Sequence, residues 1–312
     1  MRVKHIVISI GCGALIFFSC PAHTFITTKP ANGRFGDHLV LYARAKLISL
    51  ACNAPLLYQP FSHSEGLVLH AQETLYNQDA HKNLPTIELD DAVQILGKAV
   101  KNNPALYRIN FFTRLRGIQS ETYAMCLREI RRLIRPSNTL ATVTIPPGTL
   151  SVAVHVRRGG GYDHLTKHVF REKFLPASYY AKALRSLMKL FPHRQIYAHI
   201  FTDDPNPNEV VSEISAALNN RRVKFGYRKE KNRYAENVLE DFFAMTKFDC
   251  LVRPASSFSR MAEVLGNHRV VISPSGMKKN QDPIKRLERV LAVNPLLHKV
   301  AGIPDLLTTI PL

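Results

Sequence analysis

Apolar and polar positions follow two alternating patterns along the second half of the chain. Short apolar runs, typical of buried strands, are separated by longer segments in which apolar residues recur every three or four positions, as on one face of a helix. The predicted strands are 151–157, 196–202, 223–227, 249–253 and 268–273, and the predicted helices are 176–190, 208–218, 237–247 and a last one that Ser256 or Ser257 can cap and that runs to Leu265. Strands that alternate with helices in this way predict a parallel sheet with helices on its faces.

The chain opens with a shorter version of the same pattern. Residues 24–28 predict a strand, residues 39–50 a helix and residues 53–58 a second strand. Between the first strand and the helix lies a loop that contains Gly33 and Gly36, which can adopt positive φ and pass close to a ligand. This order is typical of the first unit of a nucleotide-binding α/β domain, although two glycines also make an ordinary tight turn.

The pattern is weak from residue 61 to about residue 110 and recovers afterwards. The elements predicted here are short strands at 67–70 and 86–89, a helix at 90–100 and a clearer helix at 119–134. The segment 141–148 contains two prolines and a glycine and is the best candidate for a linker. We therefore predict an N-terminal domain at 23–145 and a C-terminal domain at 146–312.

Composition and charge narrow the classes of function. The 312 residues are enough for two domains with separate cores. The formal net charge of +18 attracts anions such as nucleotides, nucleic acids, phosphorylated glycans or an anionic membrane. No zinc-finger spacing is present and tryptophan is absent, so a specific nucleic-acid-binding module is not favoured. A generally solvated basic surface is the alternative interpretation for most of these residues.

The first 22 residues differ from the rest of the sequence. Arg2 and Lys4 precede an uncharged stretch at 6–20 and then Pro21, which is the arrangement of a signal peptide or a short membrane anchor. We therefore expect export or membrane association through 1–22, and a cytoplasmic protein if this segment is not a signal. The alternatives are a start site upstream of the true one and a first strand buried in the fold.

Charged residues follow the first strand of the regular half. This strand ends in His155-Val156-Arg157-Arg158, and three glycines come next. In an open parallel sheet, ligands bind beyond the carboxyl ends of the strands. A planar guanidinium binds two phosphate oxygens at once, so this strand end suits a phosphate-bearing ligand. The alternative is that both arginines pair with nearby carboxylates.

Two other predicted strand ends carry polar residues that converge on the same edge of the sheet. Asp203 and Asp204 could accept hydrogen bonds from a ribose or a base, and the serine-rich helix start at 256–260 offers free N–H groups to an anion. Each has a simpler explanation, because Asp204 can cap a turn and Ser256 can cap its helix. Together the three strand ends predict a pocket for a nucleoside diphosphate.

Five segments, in this order, resemble motifs of the fucosyltransferases that make α1,2- and α1,6-linkages. They are Gly33-Arg34-Phe35-Gly36-Asp37-His38, which resembles the family's Gly-x-x-Gly-Asn-Gln loop; His155-Val156-Arg157-Arg158, which resembles its HxRRxD motif; Phe201-Thr202-Asp203-Asp204; Glu240-Asp241-Phe242-Phe243-Ala244-Met245; and Ser256-Ser257-Phe258-Ser259. The similarity extends over 24–275, and the order of the motifs is more specific than any one of them.

The resemblance implies a fold, a reaction and a set of site residues. The implied fold is α/β and GT-B-like, with two Rossmann-like domains whose parallel sheets face a cleft. The implied reaction is an inverting transfer of fucose from GDP-fucose to a glycan hydroxyl, without a metal or another cofactor. The implied catalytic residues are Arg157, which would bind the β-phosphate, Arg158 and His155. The implied donor-binding residues are Gly33, Gly36, His38, Asp203, Asp241, Ser256, Ser257, Phe258 and Ser259.

Three positions depart from the family's motifs. Gly160 stands where HxRRxD has its aspartate, Asp37-His38 replaces the Asn-Gln pair, and Arg260-Met261 replaces an aromatic pair that is common in α1,2-enzymes. The last change favours the α1,6 or protein-O-fucosyl side of the family. Two alternatives therefore stay open: a GT-B transferase that uses another nucleotide sugar, and an inactive basic protein that binds glycans or a membrane.

Overall fold

A computed structural model describes residues 24–30, 32–96, 105–162 and 170–274. Within these residues the strands are β1 (Thr24–Thr28), β2 (Leu56–Tyr58), β3 (Thr74–Leu75), β4 (Thr86–Asp91), β5 (Ala105–Arg114), β6 (Leu150–Val156), β7 (Ile196–Thr202), β8 (Val223–Tyr227), β9 (Cys250–Val252) and β10 (Val270–Ile272). The helices are α1 (Phe35–Cys52), α2 (Val68–Gln72), α3 (Gln78–His81), α4 (Val93–Leu96), α5 (Ser120–Leu133), α6 (Ala177–Leu190), α7 (Pro207–Leu218), α8 (Val238–Met245) and α9 (Ser257–Leu265), and short 3₁₀ turns lie at Ser64–Gly66 and Arg171–Lys173.

The C-terminal sheet has five parallel strands in the order β10-β9-β6-β7-β8. Every residue of β6 is buried because the strand lies in the middle of the sheet with helices on both faces. One face packs on α6 and α7, and the other packs on α8 and α9. The predicted alternation of five strands with four helices is therefore confirmed, with element ends within a few residues of those predicted.

The N-terminal sheet also has five parallel strands, in the order β3-β2-β1-β5-β4. Helix α1 follows the central strand β1 and is buried on nearly all sides. It has this burial because it packs on its own sheet, on α5 and on α9 of the other half. The Arg131 guanidinium of α5 adds a polar link, since it donates to the carbonyl of Val264 at the end of α9 over 2.9 Å.

One predicted strand in the N-terminal half is wrong, and one predicted helix begins later than expected. Residues 67–70 do not form a strand, because helix α2 covers Val68–Gln72 and only Leu67 makes an isolated bridge, to Pro136. Leu67 and Leu69 are both buried and lie two positions apart, which is also the spacing of buried residues in a strand. The helix predicted at 90–100 begins later, because Asp90 and Asp91 belong to β4 and the described helix is Val93–Leu96.

Strand β5 was not predicted, although it lies between β1 and β4 and spans Ala105–Arg114. Its first half is apolar and buried, but its second half carries Asn110 and exposed Phe112, which interrupts the apolar run.

Several predictions lie outside the described residues or are untested by them. The predicted signal or anchor at 1–22 falls outside the described residues, as does Asp163, the first carboxylate after Gly160. Among the residues that are described, no helix has the length and apolarity needed to cross a membrane. The segment between Pro136 and Leu150 contains neither helix nor strand, and the domain boundary at 145/146 stays a prediction.

Candidate active site

A cavity of about 270 Å³ opens between the two sheets, beyond the carboxyl ends of β6 and β7. The N-terminal ends of α1 and α9 both reach it, so residues from each half of the chain line its wall. Sequence-predicted residues that line this cavity are Gly33, Gly36, His155, Arg157, Asp203, Asp241, Ser256, Ser257 and Phe258.

Gly36 allows the two helix ends to meet. A Cβ atom at this position would lie 2.3 Å from the backbone nitrogen of Phe258 and 2.8 Å from the carbonyl carbon of Ser257. No real Cβ approaches backbone atoms so closely, so this contact between α1 and α9 requires glycine. The ring of Phe35, the preceding residue, packs edge-on against Phe242 at a centroid distance of 5.3 Å.

His155 lies at the end of β6 and is 6% exposed. Burial, and then the charges of Arg157 and Arg253, lower its pKa to about 3, so the imidazole is neutral near pH 7. Its Nδ1 atom is buried and has no hydrogen-bond partner among the described residues. Its ring contacts that of Phe258 at a centroid distance of 5.7 Å.

The turn after β6 is fixed by Asp203 from the neighbouring strand β7. One carboxylate oxygen accepts from the Arg158 N–H over 2.6 Å, and the other accepts from the Gly160 N–H over 3.2 Å. Gly159 and Gly161 adopt φ of +87° and +75°, a region that favours glycine. The predicted donor residue Asp203 therefore lines the cavity and also organises the loop that carries Arg157.

Arg157 and Arg158 point to different sides of this turn. The Arg157 guanidinium lines the cavity, with Nε 3.8 Å from the Asp203 carboxylate and its carbon 5.2 Å from the centre of the Tyr162 ring. The Arg158 guanidinium instead donates to Glu213 on α7 and does not line the cavity. For Arg158 the structure favours pairing with a carboxylate over the predicted catalytic role.

The N-terminal end of α9 presents backbone N–H groups to the cavity. Ser256 stands at the N-cap position but makes no side-chain capping hydrogen bond, and its Oγ is buried without a partner among the described residues. The first N–H groups of a helix have no intrahelical acceptor, so this end can bind an anion. Ser259 is fully buried in the next turn and does not line the cavity, so the structure does not favour its predicted role in donor binding.

Asp241 places a half-buried carboxylate on the wall formed by α8. Burial raises its pKa, and the hydrogen bond from Arg228, which is 2.7 Å long, opposes that shift. The Asp241 carboxylate, held in place by Arg228, can therefore accept a hydrogen bond from a group in the cavity.

His38 lies in a second cavity of about 420 Å³ rather than beside Arg157. Its ring is stacked on Phe61, with centroids 5.2 Å apart and planes 9° from parallel. Burial lowers its pKa. Ser62 lines both cavities, so the two are adjacent. His38 therefore faces the second cavity, although its side chain stays in hydrogen-bond contact with the Gly33 backbone.

Arg34 was not predicted as a site residue, although it lies inside the glycine loop that was. Its guanidinium crosses from the N-terminal half, donates to the Gly160 carbonyl, and lies 4.5 Å from the ring centres of both Tyr162 and Tyr234. Burial and the charge of Arg157 lower its pKa. Its position within the predicted loop was the signal that could have identified it.

The described residues contain no group of three or more His, Cys, Asp and Glu side chains that could bind a metal ion. Independence of the reaction from metal stays a prediction.

No protein-family model matches the chain, and no curated protein matches it. Its structure does resemble solved structures. A variant of FUT1 from Arabidopsis thaliana in complex with GDP superposes with a TM-score of 0.52 at 10% identity, over 85% of this chain and 72% of that one. The fold is GT-B-like. The predicted fold class, two parallel sheets facing a cleft, is thereby confirmed.

Two further structures are similar at lower scores. The fucosyltransferase NodZ from Bradyrhizobium has a TM-score of 0.47 at 16% identity, over 81% of this chain and 96% of that one. POFUT1 in complex with GDP has a TM-score of 0.45 at 10% identity, over 80% of this chain and 96% of that one.

Proposed function

We propose that this protein is an inverting glycosyltransferase that moves fucose from GDP-fucose to a glycan hydroxyl, without a metal. The observation that carries the proposal is the cavity between the two sheets, where the Arg157 guanidinium and the uncapped end of α9 lie on one wall. In this proposal, 23–145 forms the acceptor side, 146–312 binds the donor, and 1–22 directs export or membrane association.

The charges at the cavity fit a leaving diphosphate. Arg34, Arg157, Lys173 and Arg233 all line it. When the bond from the sugar to the β-phosphate breaks, negative charge grows on the departing oxygen, and fixed positive groups stabilise that charge most strongly in the transition state. Arg157 supplies a guanidinium for the β-phosphate, and the first N–H groups of α9 supply donors for the other oxygens.

Two other residues that line the cavity fit a nucleoside. Asp241 offers a carboxylate to the N–H groups of a guanine edge, and Tyr234, which is 52% exposed, offers an aromatic ring for stacking. FUT1, the neighbour with the same fold, was solved with GDP, which supports this nucleotide.

The test compares Arg157→Ala with Arg158→Ala. Both remove a guanidinium from the same turn, but only the first lines the cavity. We expect Arg157→Ala to lower GDP release from GDP-fucose by about 10²- to 10³-fold, as for loss of one transition-state donor. Arg158→Ala should stay within a few-fold of the wild type. A thermal-shift titration with GDP shows whether each variant is folded and binds nucleotide. Full activity in a folded Arg157→Ala protein, or no binding of GDP by the wild type, would exclude the proposal.

A second donor is favoured by one observation at Gly160. In the resembled motif an aspartate occupies this position, but here a Cβ would lie 3.3 Å from both the Asp203 carbonyl oxygen and Tyr234 Cβ. The space for an acid is thus occupied by Tyr234, which alters the wall near the sugar. Turnover of GDP-mannose or a UDP-sugar in preference to GDP-fucose would establish this alternative.

A further inference from the structure

The two adjacent cavities meet at the first turn of α1. Asp37 lines the cavity that contains Arg157, while its neighbour His38 lines the second cavity. Ser62, on the loop after β2, lines both. A group at the boundary between a donor site and the adjacent space can reach a hydroxyl that enters from one side and a sugar carbon that faces it from the other.

The Asp37 carboxylate is held in place and still has a free acceptor. Its Oδ2 accepts from the Arg34 N–H over 3.1 Å, which fixes its orientation at the start of α1. No donor among the described residues bonds to its Oδ1. The side chain is half-buried, and Asp37 lines the cavity.

The other carboxylates on this cavity wall have different tasks. Both oxygens of Asp203 accept backbone N–H groups of the Arg157 turn. Asp241 is paired with Arg228, and Glu236 is exposed and accepts from the Arg233 N–H over 3.0 Å. All three belong to the half that binds the nucleotide, whereas Asp37 belongs to the opposite half.

The second cavity has the character of a sugar site. Stacked rings of His38 and Phe61 line it, together with Tyr58, Gln59 and the charged Lys29. Aromatic rings with hydroxyl and amide groups suit the mixed apolar and polar faces of a pyranose. Its volume is about 420 Å³.

We propose that Asp37 is the general base and that the acceptor pyranose binds in the second cavity; this rests on the proposed glycosyl transfer. The acceptor hydroxyl oxygen attacks the anomeric carbon of the donor, and the bond from that carbon to the β-phosphate oxygen breaks. The electron pair leaves with the nucleoside diphosphate beside Arg157. The hydroxyl proton moves to Oδ1 of Asp37, which later returns it to solvent. The resembled motif has asparagine here, so the carboxylate is a property of this chain.

The test is Asp37→Asn, which keeps an oxygen for the Arg34 N–H but cannot take up a proton. The matched control is Glu209→Gln, since Glu209 occupies the same position in the first turn of α7, is exposed and lies outside both cavities. GDP release from GDP-fucose is measured with water as acceptor and with the methyl glycosides of galactose, glucose and N-acetylglucosamine. We expect Asp37→Asn to lower turnover by about 10²- to 10⁴-fold, the usual range for a general base. Glu209→Gln should match the wild type.

The outcomes separate this inference from the proposed function. Retained GDP binding with lost turnover in Asp37→Asn supports the base, and partial recovery of an Asp37→Ala variant by added formate would add to that support. Wild-type turnover in Asp37→Asn overturns the inference. His63 also lines the first cavity from the same half, so a loss of turnover in His63→Gln but not in Asp37→Asn overturns it too. A wild-type protein that neither binds GDP nor releases it from GDP-fucose refutes the proposed function instead.

Discussion

The N-terminal ends of helices α1 and α9 meet at one cavity, but the hydrogen bonds of their N-cap residues differ. At α1 the Arg34 N–H donates to the carboxylate of Asp37, so this end carries its own negative charge. At α9 the Ser256 hydroxyl makes no capping hydrogen bond and is buried without a partner among the described residues. The N-cap N–H of α1 therefore has a side-chain acceptor, whereas the N-cap side chain of α9 makes no capping hydrogen bond.

The difference gives opposite chemistry to two helix ends that meet at Gly36. The α9 end, with Arg157 beside it, favours an incoming anion because a helix N-terminus carries partial positive charge. The α1 end offers a carboxylate, which repels phosphate but accepts a proton. In the proposed transfer, the first ability would serve the leaving group and the second would serve the attacking hydroxyl.

The largest effect that we expect on stability comes from His155, on the anion-binding side. Its pKa is lowered to about 3 in the folded protein, against roughly 6.5 in an unfolded chain. Between these values the unfolded chain binds a proton that the folded protein does not, so stability falls as pH falls from about 6.5 toward 3. By pH 4 the cost approaches about 3 kcal/mol, and His155→Gln should remove it. Urea unfolding at pH 7, 5.5 and 4 measures the slope.

His199 provides the matched control, because its pKa is also lowered, to about 4, but it lies on β7 away from both cavities. GDP should reduce the acid sensitivity that comes from His155, since a phosphate nearby stabilises the imidazolium, and should leave that of His199 unchanged. Equal acid slopes in His155→Gln and the wild type would contradict the assignment.

The next effect concerns the contact between the two helix ends. Gly36→Ala places a methyl group against the backbone of Ser257 and Phe258, which cannot shift without moving α9. We expect a loss of about 2 kcal/mol in the free energy of unfolding, within the usual range for overpacking, together with weaker GDP binding. Chemical denaturation and a GDP titration measure both.

Gly66→Ala is the control for this change, because its added methyl group meets only the end of the Leu239 side chain. That side chain can rotate away, so the loss should be smaller and GDP affinity should not change. A larger loss at Gly66 than at Gly36 would show that the close approach of α1 and α9 is not a constraint.

The two halves also differ in how well their sequence predicts them. In the C-terminal half, the central strands β6, β7 and β9 are almost wholly buried between helices, so each appears as a mainly apolar run. In the N-terminal half, β5 carries polar side chains within the strand, and α2 imitates a strand over a single turn. The local pattern of apolar residues therefore identifies elements whose residues are uniformly buried, but not elements in which buried and exposed residues are mixed.

The sequence predicted which strand ends form the site, but it did not predict the directions in which their side chains point. Arg157 and Arg158 are adjacent in sequence, and only the turn held by Asp203 decides that one enters the cavity and the other reaches Glu213. Arg34 and Tyr234 come together from distant parts of the chain, which no local pattern records. His38 is one residue from Asp37, yet the helix turns it into the second cavity.

The smallest effects that we expect come from Ser256→Ala at the start of α9 and Asp37→Ala at the start of α1. Ser256→Ala removes a buried hydroxyl that has no partner among the described residues, so stability should stay unchanged or rise by up to about 1 kcal/mol. GDP binding should weaken several-fold, because the hydroxyl is then missing from the anion site. Asp37→Ala removes a hydrogen-bond acceptor from the start of α1 and should cost about 1 kcal/mol.

Nucleotide affinity should weaken in Ser256→Ala but not in Asp37→Ala. Asp37→Ala deletes a negative charge from the cavity wall, so GDP should bind as tightly as in the wild type or tighter. Parallel urea unfolding and GDP titrations give the two quantities for each protein. Ser256→Ala could instead lower stability as much as Asp37→Ala and leave GDP affinity unchanged. That result would show that the Ser256 side chain caps α9 and does not bind the nucleotide.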